Sequence, residues 1–275
     1  MDKISKQIIQ LAYREDVQTG DITSRATVPK TLSGQTVIIA KSEGILSGTD
    51  PFRFVFSLAS PKIKVVFHIK DGGKFINGTK IASIKGSAQG LLSGERLALN
   101  LLSHLSGVAT LTAQFVARVQ GTNARILDTR KTTPGLRFLE KQAVRHGGGY
   151  NHRMGLYDMV LIKDNHIMAA GGVDKALQKV KNINRRIEIE ISDFNQLKTA
   201  LEYSPDIIML DNFNLKRLVK AVNFIRTSRP RIKIEVSGGV NLKTVRAIAA
   251  TGVDFVSVGA LTHSAIASDF SMRYV

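Results

Sequence analysis

Ile187-Glu188-Ile189-Glu190-Ile191 is a strand whose two faces disagree. Side chains alternate across an extended chain, so the three isoleucines point one way and the two glutamates the other. Ile232–Val236 repeats the pattern, with Ile232, Ile234 and Val236 opposite Lys233, Glu235 and Ser237. An open parallel sheet covered by helices on both sides reads apolar on both faces. Acid on one face fits a βα barrel, whose strands turn apolar side chains to the surrounding helices and polar ones to the lumen. A glutamate buried there is costly unless a cation or metal pairs with it.

The neighbouring sequence supplies the other strands. Short apolar runs recur at Arg125–Asp128, Met159–Ile162, Ile187–Ile191, Asp206–Leu210, Ile232–Val236 and Phe255–Val258. Amphipathic segments separate most of them: Leu136–His146, Val173–Val180, Phe194–Glu202, Leu215–Thr227 and Leu242–Ala250. This alternation predicts parallel strands with right-handed crossovers. The expected fold is α/β, an incomplete βα barrel.

Upstream the rhythm differs. Ile4–Arg14 has helical spacing, Glu15–Ser24 reads as a turn-rich loop, and Thr36–Ala40 is β-branched. Asp50-Pro51 is a helix start signal. Ile63–Ile69 alternates and stops at Asp71-Gly72-Gly73, and Thr79–Lys85 follows as a strand. A leucine stripe then predicts a helix over Gln89–Ser106, broken or kinked at Gly107 before a second helical run, Ala109–Val119. The expected organisation is a small N-terminal α/β sandwich domain, 1–107, and a barrel domain, 108–275.

Composition narrows the class. A chain of 275 residues with 43% hydrophobic and 22% charged content can bury a sizeable core. There is no cysteine, so disulfides, thiolate metal ligands and a thiol nucleophile are excluded. Met1–Asp16 has no apolar signal-peptide core, and no run reaches the roughly 20 apolar residues of a membrane helix. A cytoplasmic location and no membrane partner are expected. The balance of Lys+Arg 39 against Asp+Glu 22 gives +17, which suits polyanions of several kinds or simply a basic surface. The basic residues are scattered, which argues against a disordered nucleic-acid tail.

Barrel active sites lie at the carboxyl ends of the strands. Those ends carry Asp128, Arg130 and Lys131; Lys163 and Asp164; Glu190; Asp211 and Asn212; Ser237-Gly238-Gly239; and Val258-Gly259-Ala260. The late glycine turns can offer backbone N–H groups to a phosphate. Arg130, Lys131, His152, Arg153 and Lys163 are cations for carboxylate or phosphate, and arginine can grip a carboxylate through two bonds. Glu190 and Asp211 are the acids best placed to hold Mg²⁺. Among the histidines, His152 beside the Gly147-Gly148-Gly149 loop is the candidate; His68 and His146 have structural explanations, while His104 and His263 stay ambiguous. No HExxH, P-loop or Gly-x-Ser-x-Gly motif is present. The residues describe a barrel enzyme for a small, multiply anionic, phosphorylated substrate, working with Mg²⁺.

Longer motifs name a family. Thr129-Arg130-Lys131-Thr132-Thr133-Pro134-Gly135, Asn151-His152-Arg153-Met154-Gly155-Leu156 and Leu161–His166 resemble the quinolinate phosphoribosyltransferases, also called nicotinate-nucleotide pyrophosphorylases. Glu15-Asp16, Gly20-Asp21-Ile22-Thr23, Gly94-Glu95-Arg96, Met209-Leu210-Asp211-Asn212, Val236-Ser237-Gly238-Gly239 and Val258–Ser264 continue the likeness along the whole chain. Molybdenum-transport proteins of the same fold would carry Arg-Lys-Asn-Phe-Pro-Gly and Pro-His-Arg-Leu-Gly, which this chain lacks.

The resemblance implies that quinolinate and phosphoribosyl pyrophosphate become nicotinate mononucleotide, pyrophosphate and CO₂, in NAD biosynthesis. It implies a homodimer or higher even oligomer in which Arg96 reaches the partner's site. Arg96, Arg130, His152, Arg153 and Lys131 would hold the quinolinate carboxylates, Thr129 would be a further substrate-binding residue, and Lys163 would lie near ribose and pyrophosphate. Glu190 and Asp211 would serve ribose hydroxyls and Mg²⁺. Ser237, Gly238, Gly239, Val258, Gly259 and Ala260 would take the 5′-phosphate. Lys131, Lys163, Glu190 and Asp211 are the expected catalytic groups. A nucleic-acid-binding protein is the rival reading, which requires a contiguous basic face and steeply salt-dependent binding.

Overall fold

Two aspartates start the chain's first helices. In the computed structural model, which describes residues 1–275, Asp2 caps α1 (Lys3–Val17) by accepting the Ser5 N–H at 2.9 Å. Asp21 does the same for α2 (Ile22–Thr27) through Ser24, also at 2.9 Å. The stretch expected to be a loop through Ser24 therefore becomes helix from Ile22, because Asp21 supplies an acceptor to the free N–H groups of the first turn.

β1 (Ser33–Ala40), β2 (Gly44–Ile45), α3 (Thr49–Ala59), β3 (Lys64–Phe67), β4 (Lys74–Phe75) and β5 (Lys80–Ser87) follow. β1, β5 and β3 pair antiparallel, and β2 pairs with β4. α3 starts one residue before Asp50. Gly48 sits at its N-cap with φ +108°, so Asp50 contributes its charge in the first turn instead of capping.

α4 (Ala88–Arg118) runs for 31 residues through Gly107 without a break, contrary to the expectation of two helices. Glycine is required there for close approach: a Cβ would stand 2.2 Å from the Ile266 carbonyl oxygen. Tertiary contact, not chain flexibility, accounts for the residue.

The barrel strands are β6 (Arg125–Leu127), β7 (Val160–Ile162), β8 (Ile187–Ile191), β9 (Ile207–Asp211), β10 (Lys233–Ser237) and β11 (Phe255–Ser257). Between them lie α5 (Arg137–His146), α6 (Asp164–Ala170), α7 (Val173–Val180), α8 (Phe194–Tyr203), α9 (Leu215–Ser228) and α10 (Val245–Ala249), and α11 (Ala260–His263) follows β11. All strand pairings are parallel, in the order β6-β11-β10-β9-β8-β7. That order winds once in a single direction, as in a barrel left open between its first two strands. A doubly wound sheet would reverse its order in the middle. The single bridge on the open side is Leu127 to Tyr150.

The last strand, β12 (Phe270–Tyr274), was not expected. It pairs antiparallel with β1 and completes a four-stranded sheet with β5 and β3. The chain thus divides into two compact units: Met1–Ala113 with Thr132–Gly148 and Leu261–Val275, and Gln114–Lys131 with Gly149–Ala260. No helix is long and apolar enough to cross a membrane.

Candidate active site

Three groups of side chains gather at and below the carboxyl ends of the strands. The first is acidic and sits on β8 and β9. Lys163, directly after β7, places Nζ 3.5 Å from Glu190 Oε2, and Asp211 closes β9. Burial pushes the Glu190 carboxyl above its ordinary range; Lys163 pulls it down and the nearby Asp211 charge pushes it further up. Burial also raises Asp211, against the Asn212 amide, which donates to Oδ2 at 2.6 Å, and against Lys163 and Lys131. Two half-buried carboxylates that repel each other, flanked by only flexible lysines, are the donor set a hard divalent cation relieves. Mg²⁺ usually takes one or two acids and fills its remaining positions with water and phosphate oxygens. The residues fit the ion.

The second group is a turn. Ser237, paired in register with Asp211, leads into Gly238 at φ +93° and Gly239 at φ +62°. A Cβ at Gly238 would lie 2.1 Å from Asn212 Oδ1, so both conformation and space demand glycine there. Asn212 is itself left-handed at φ +54°, and its N–H donates to the Ser237 carbonyl at 3.0 Å. After β11, Val258 is buried with its N–H on the Leu127 carbonyl, and Gly259 and Ala260 are half-buried. The helices beyond these turns are too distant or short to add much dipole: α10 starts at Val245 and α11 has four residues. An anion here would be held by turn N–H groups themselves.

The third group centres on His152 and Arg153. Asp128, fully buried at the end of β6, accepts the Asn151 side-chain amide at 2.6 Å and the His152 N–H at 2.8 Å. This fixes the segment that follows the Leu127–Tyr150 bridge. Arg153 is buried, with Nη1 donating to the Met159 carbonyl at 3.1 Å. Its ionisation is shifted downward by burial and by Arg130, while Glu188 and Asp158 work in its favour. His152 Nδ1 accepts the Arg153 N–H at 2.7 Å, and Nε2 lies 3.1 Å from Glu188 Oε2 and 3.6 Å from Glu235 Oε1. Ser257 Oγ donates to Glu235 Oε1 at 2.5 Å.

Lys163, Glu190 and Asp211 thus come together as expected, and so do His152 and Arg153. Thr129 Oγ1 accepts the Lys131 N–H at 3.0 Å, Arg130 is half-buried and Lys131 exposed. Arg96 lies exposed on α4 within the first unit. Sequence reasoning put Glu188 and Glu235 on polar strand faces and Asp128 at a strand end, but gave none of them a role and did not single out Ser257. Alternation identifies the face of a side chain, while which strands stand close across the lumen depends on barrel order.

A singly wound, open βα barrel whose strand ends carry cations, acids and glycine turns defines a barrel-enzyme class of protein. Residues 108–273 match the model of the quinolinate phosphoribosyl transferase C-terminal domain, and residues 21–106 that of its N-terminal domain. The chain belongs to the quinolinate phosphoribosyltransferase family. It is 43% identical over 270 residues, 97% of this chain and 92% of the relative, to a probable nicotinate-nucleotide pyrophosphorylase (carboxylating) of Bacillus subtilis. It is 40% identical to a mitochondrial quinolinate phosphoribosyltransferase (decarboxylating) of Nicotiana glauca, over 98% of this chain and 81% of that one. The solved nicotinate-nucleotide pyrophosphorylase of Francisella tularensis superposes with a TM-score of 0.93 at 38% identity, covering 99% of this chain and 96% of that one.

Proposed function

We propose that this chain catalyses decarboxylating transfer of phosphoribose to quinolinate, yielding nicotinate mononucleotide, pyrophosphate and CO₂ in de novo NAD biosynthesis. The observation that carries this reading is the separation of charge along the strand ends. A floor of the Arg130 and Arg153 guanidinium groups with the His152 imidazole suits a pyridine dicarboxylate. The Lys163–Glu190–Asp211 group suits ribose and pyrophosphate, and the Ser237-Gly238-Gly239 and Val258-Gly259-Ala260 turns suit the 5′-phosphate.

The chemistry follows from that placement. The ring nitrogen of quinolinate forms a bond to ribose C1 as pyrophosphate departs, and C1 passes through a cation-like state that preorganised carboxylates stabilise. The ring, now a pyridinium, accepts the electron pair left when the carboxylate beside the nitrogen leaves as CO₂, and a proton takes its place. No covalent enzyme intermediate is needed, so holding the two substrates in line supplies much of the acceleration. Mg²⁺, held by Glu190 and Asp211, would neutralise the departing pyrophosphate.

Arg96 belongs in this scheme as a quinolinate ligand contributed to the partner's site in a homodimer, and the protein is placed in the cytoplasm. Substrate omission tests the reaction: product should form only with quinolinate, phosphoribosyl pyrophosphate and Mg²⁺ together. Consumption of nicotinic acid with quinolinate ignored would overturn the substrate assignment.

A further inference from the structure

The amino-terminal mouth of the barrel, at the other end of the strands from the candidate active site, carries charge that the proposed reaction does not use. A cavity of about 710 Å³ opens there. It is lined by Arg125 at the start of β6, Arg186 just before β8, Arg229 and Arg231 between α9 and β10, and Lys233 at the start of β10. Asp206, just before β9, is the single acid among its lining residues. All of them belong to the second compact unit.

Residues at this end of a βα barrel ordinarily serve stability, and charged ones do so by pairing. Lys233 is of that kind, with Nζ 2.9 Å from Asp254 Oδ1. The four arginines are not: none has a carboxylate within ion-pair distance. Asp206 Oδ2 instead accepts the Ile187 N–H at 2.8 Å. Two of the guanidinium groups are nonetheless held in place. Arg125 lies over the Tyr150 ring, 4.9 Å from its centroid. Arg229 Nε donates to Ser204 Oγ at 3.3 Å and its Nη1 to the Ser228 carbonyl at 3.2 Å, which leaves Nη2 for a ligand. Ser204 ends α8 at φ +49°, a left-handed position that glycine adopts with less strain. Serine there supplies the hydroxyl that Arg229 uses. Like charges gathered at one mouth repel each other in the free protein, and a bound anion relieves them.

We infer that the amino-terminal mouth of the barrel is a second anion site, whose ligand carries two or more linked phosphates, either free or attached to a nucleoside. A guanidinium grips phosphate oxygens through two parallel bonds. One phosphate group satisfies one or two such forks, so four arginines around one cavity call for a chain of phosphates. The volume is that of a small-molecule site rather than a groove for a folded partner. Pro205, Ile207, Ile232 and Phe255 give the same cavity an apolar wall, against which a nucleoside base would lie. Such a site also accounts for part of the +17 charge, which the anionic substrates of the proposed reaction do not require.

Titration calorimetry of the whole protein with inorganic tripolyphosphate and with ATP tests the site without reference to catalysis. Arg186 and Arg231 are exposed, so the double variant Arg186→Gln/Arg231→Gln should keep its fold by circular dichroism. One binding event should survive Lys163→Ala, at the opposite end of the strands, and weaken roughly tenfold or more in the double variant. Tighter binding of ATP than of tripolyphosphate in that event assigns the ligand to nucleotides, and the reverse order assigns it to free polyphosphate. Binding that disappears in Lys163→Ala and is unchanged in the arginine variant would overturn the proposal. So would sulfate that competes as well as tripolyphosphate at equal ionic strength, the behaviour of a merely basic surface. Duplex DNA that binds more tightly than either ligand, with the same sensitivity to the arginine substitutions, would assign this face to nucleic acid and overturn it too.

Discussion

Lys163 is the clearest single residue to probe, because it is the cation that acts on both acids of the proposed ribose site. Replacing it with alanine leaves Glu190 and Asp211 facing each other without their shared counter-charge. The expected outcome is a fall in kcat of roughly a hundredfold or more, as when a charge aimed at a developing transition state is removed. The folded state should persist by circular dichroism. Gly238→Ala addresses the proposed phosphate turn instead. Its φ of +93° and the 2.1 Å approach of Asn212 Oδ1 force the turn to shift. KM for phosphoribosyl pyrophosphate should rise roughly tenfold or more, about 1.4 kcal/mol of binding, with little change in KM for quinolinate.

At this scale the sequence was generous for charged and glycine-bearing strand ends. Glu190, Asp211 and Ser237-Gly238-Gly239 all stand where alternation and barrel geometry put them. His152 shows the limit. The sequence singles it out as a candidate, but its orientation toward Glu188 and Glu235 depends on the Arg153 N–H and on which strands meet across the lumen.

Among the elements, β10 shows how strand position is secured. Asp254 accepts Arg226 Nη2 at 2.6 Å, Lys233 Nζ at 2.9 Å and the Ile234 N–H at 2.9 Å, tying α9 and β10 to the start of β11. Burial pushes the Asp254 carboxyl up, but the Arg226 and Lys233 bonds outweigh it, so its pKa lies below 3.8. A lowered carboxylate stabilises the fold above that ordinary value and loses its contribution as the pH falls below it. Asp254→Asn should therefore cost about 1–3 kcal/mol near neutrality in urea unfolding, with the deficit shrinking in acid. Activity per folded molecule should be nearly unaffected. In α4, Gly107→Ala should destabilise by a similar amount, roughly 1–3 kcal/mol, because the added methyl meets the Ile266 carbonyl. The leucine stripe made α4 legible. The continuity through Gly107 was not, since it is decided by a segment 159 residues later in the chain, at Ile266. β12 escaped notice for the same reason: Phe270–Tyr274 becomes a strand only through its pairing with β1.

For the whole molecule, buried Glu235 sets a pH dependence of stability. Glu235 binds a proton more tightly folded than unfolded, so its contribution is full below pH 4.5 and is lost as the pH rises toward about 8. Thermal unfolding should show the wild-type Tm falling across that window, and Glu235→Gln should flatten the slope. Assembly can be tested by mixing: Arg96→Ala and Lys163→Ala chains, each inactive alone, should regain activity together if active sites are shared between protomers, and no recovery after subunit exchange would assign Arg96 to its own chain. The overall winding was readable from the six βα repeats and from two strands with acid on one face. The interleaving of the two units was not, because it is made by Thr132–Gly148 and Leu261–Val275 joining the unit that contains the first sheet.

The central claim is that phosphoribosyl transfer and decarboxylation are a single coupled turnover on quinolinate. Quinolinate labelled with ¹³C in the carboxyl beside the ring nitrogen tests it most directly. With phosphoribosyl pyrophosphate and Mg²⁺ present, labelled CO₂ and pyrophosphate should appear in equal amounts, together with unlabelled nicotinate mononucleotide. Pyrophosphate released without labelled CO₂, or label retained in the nucleotide product, would contradict the account.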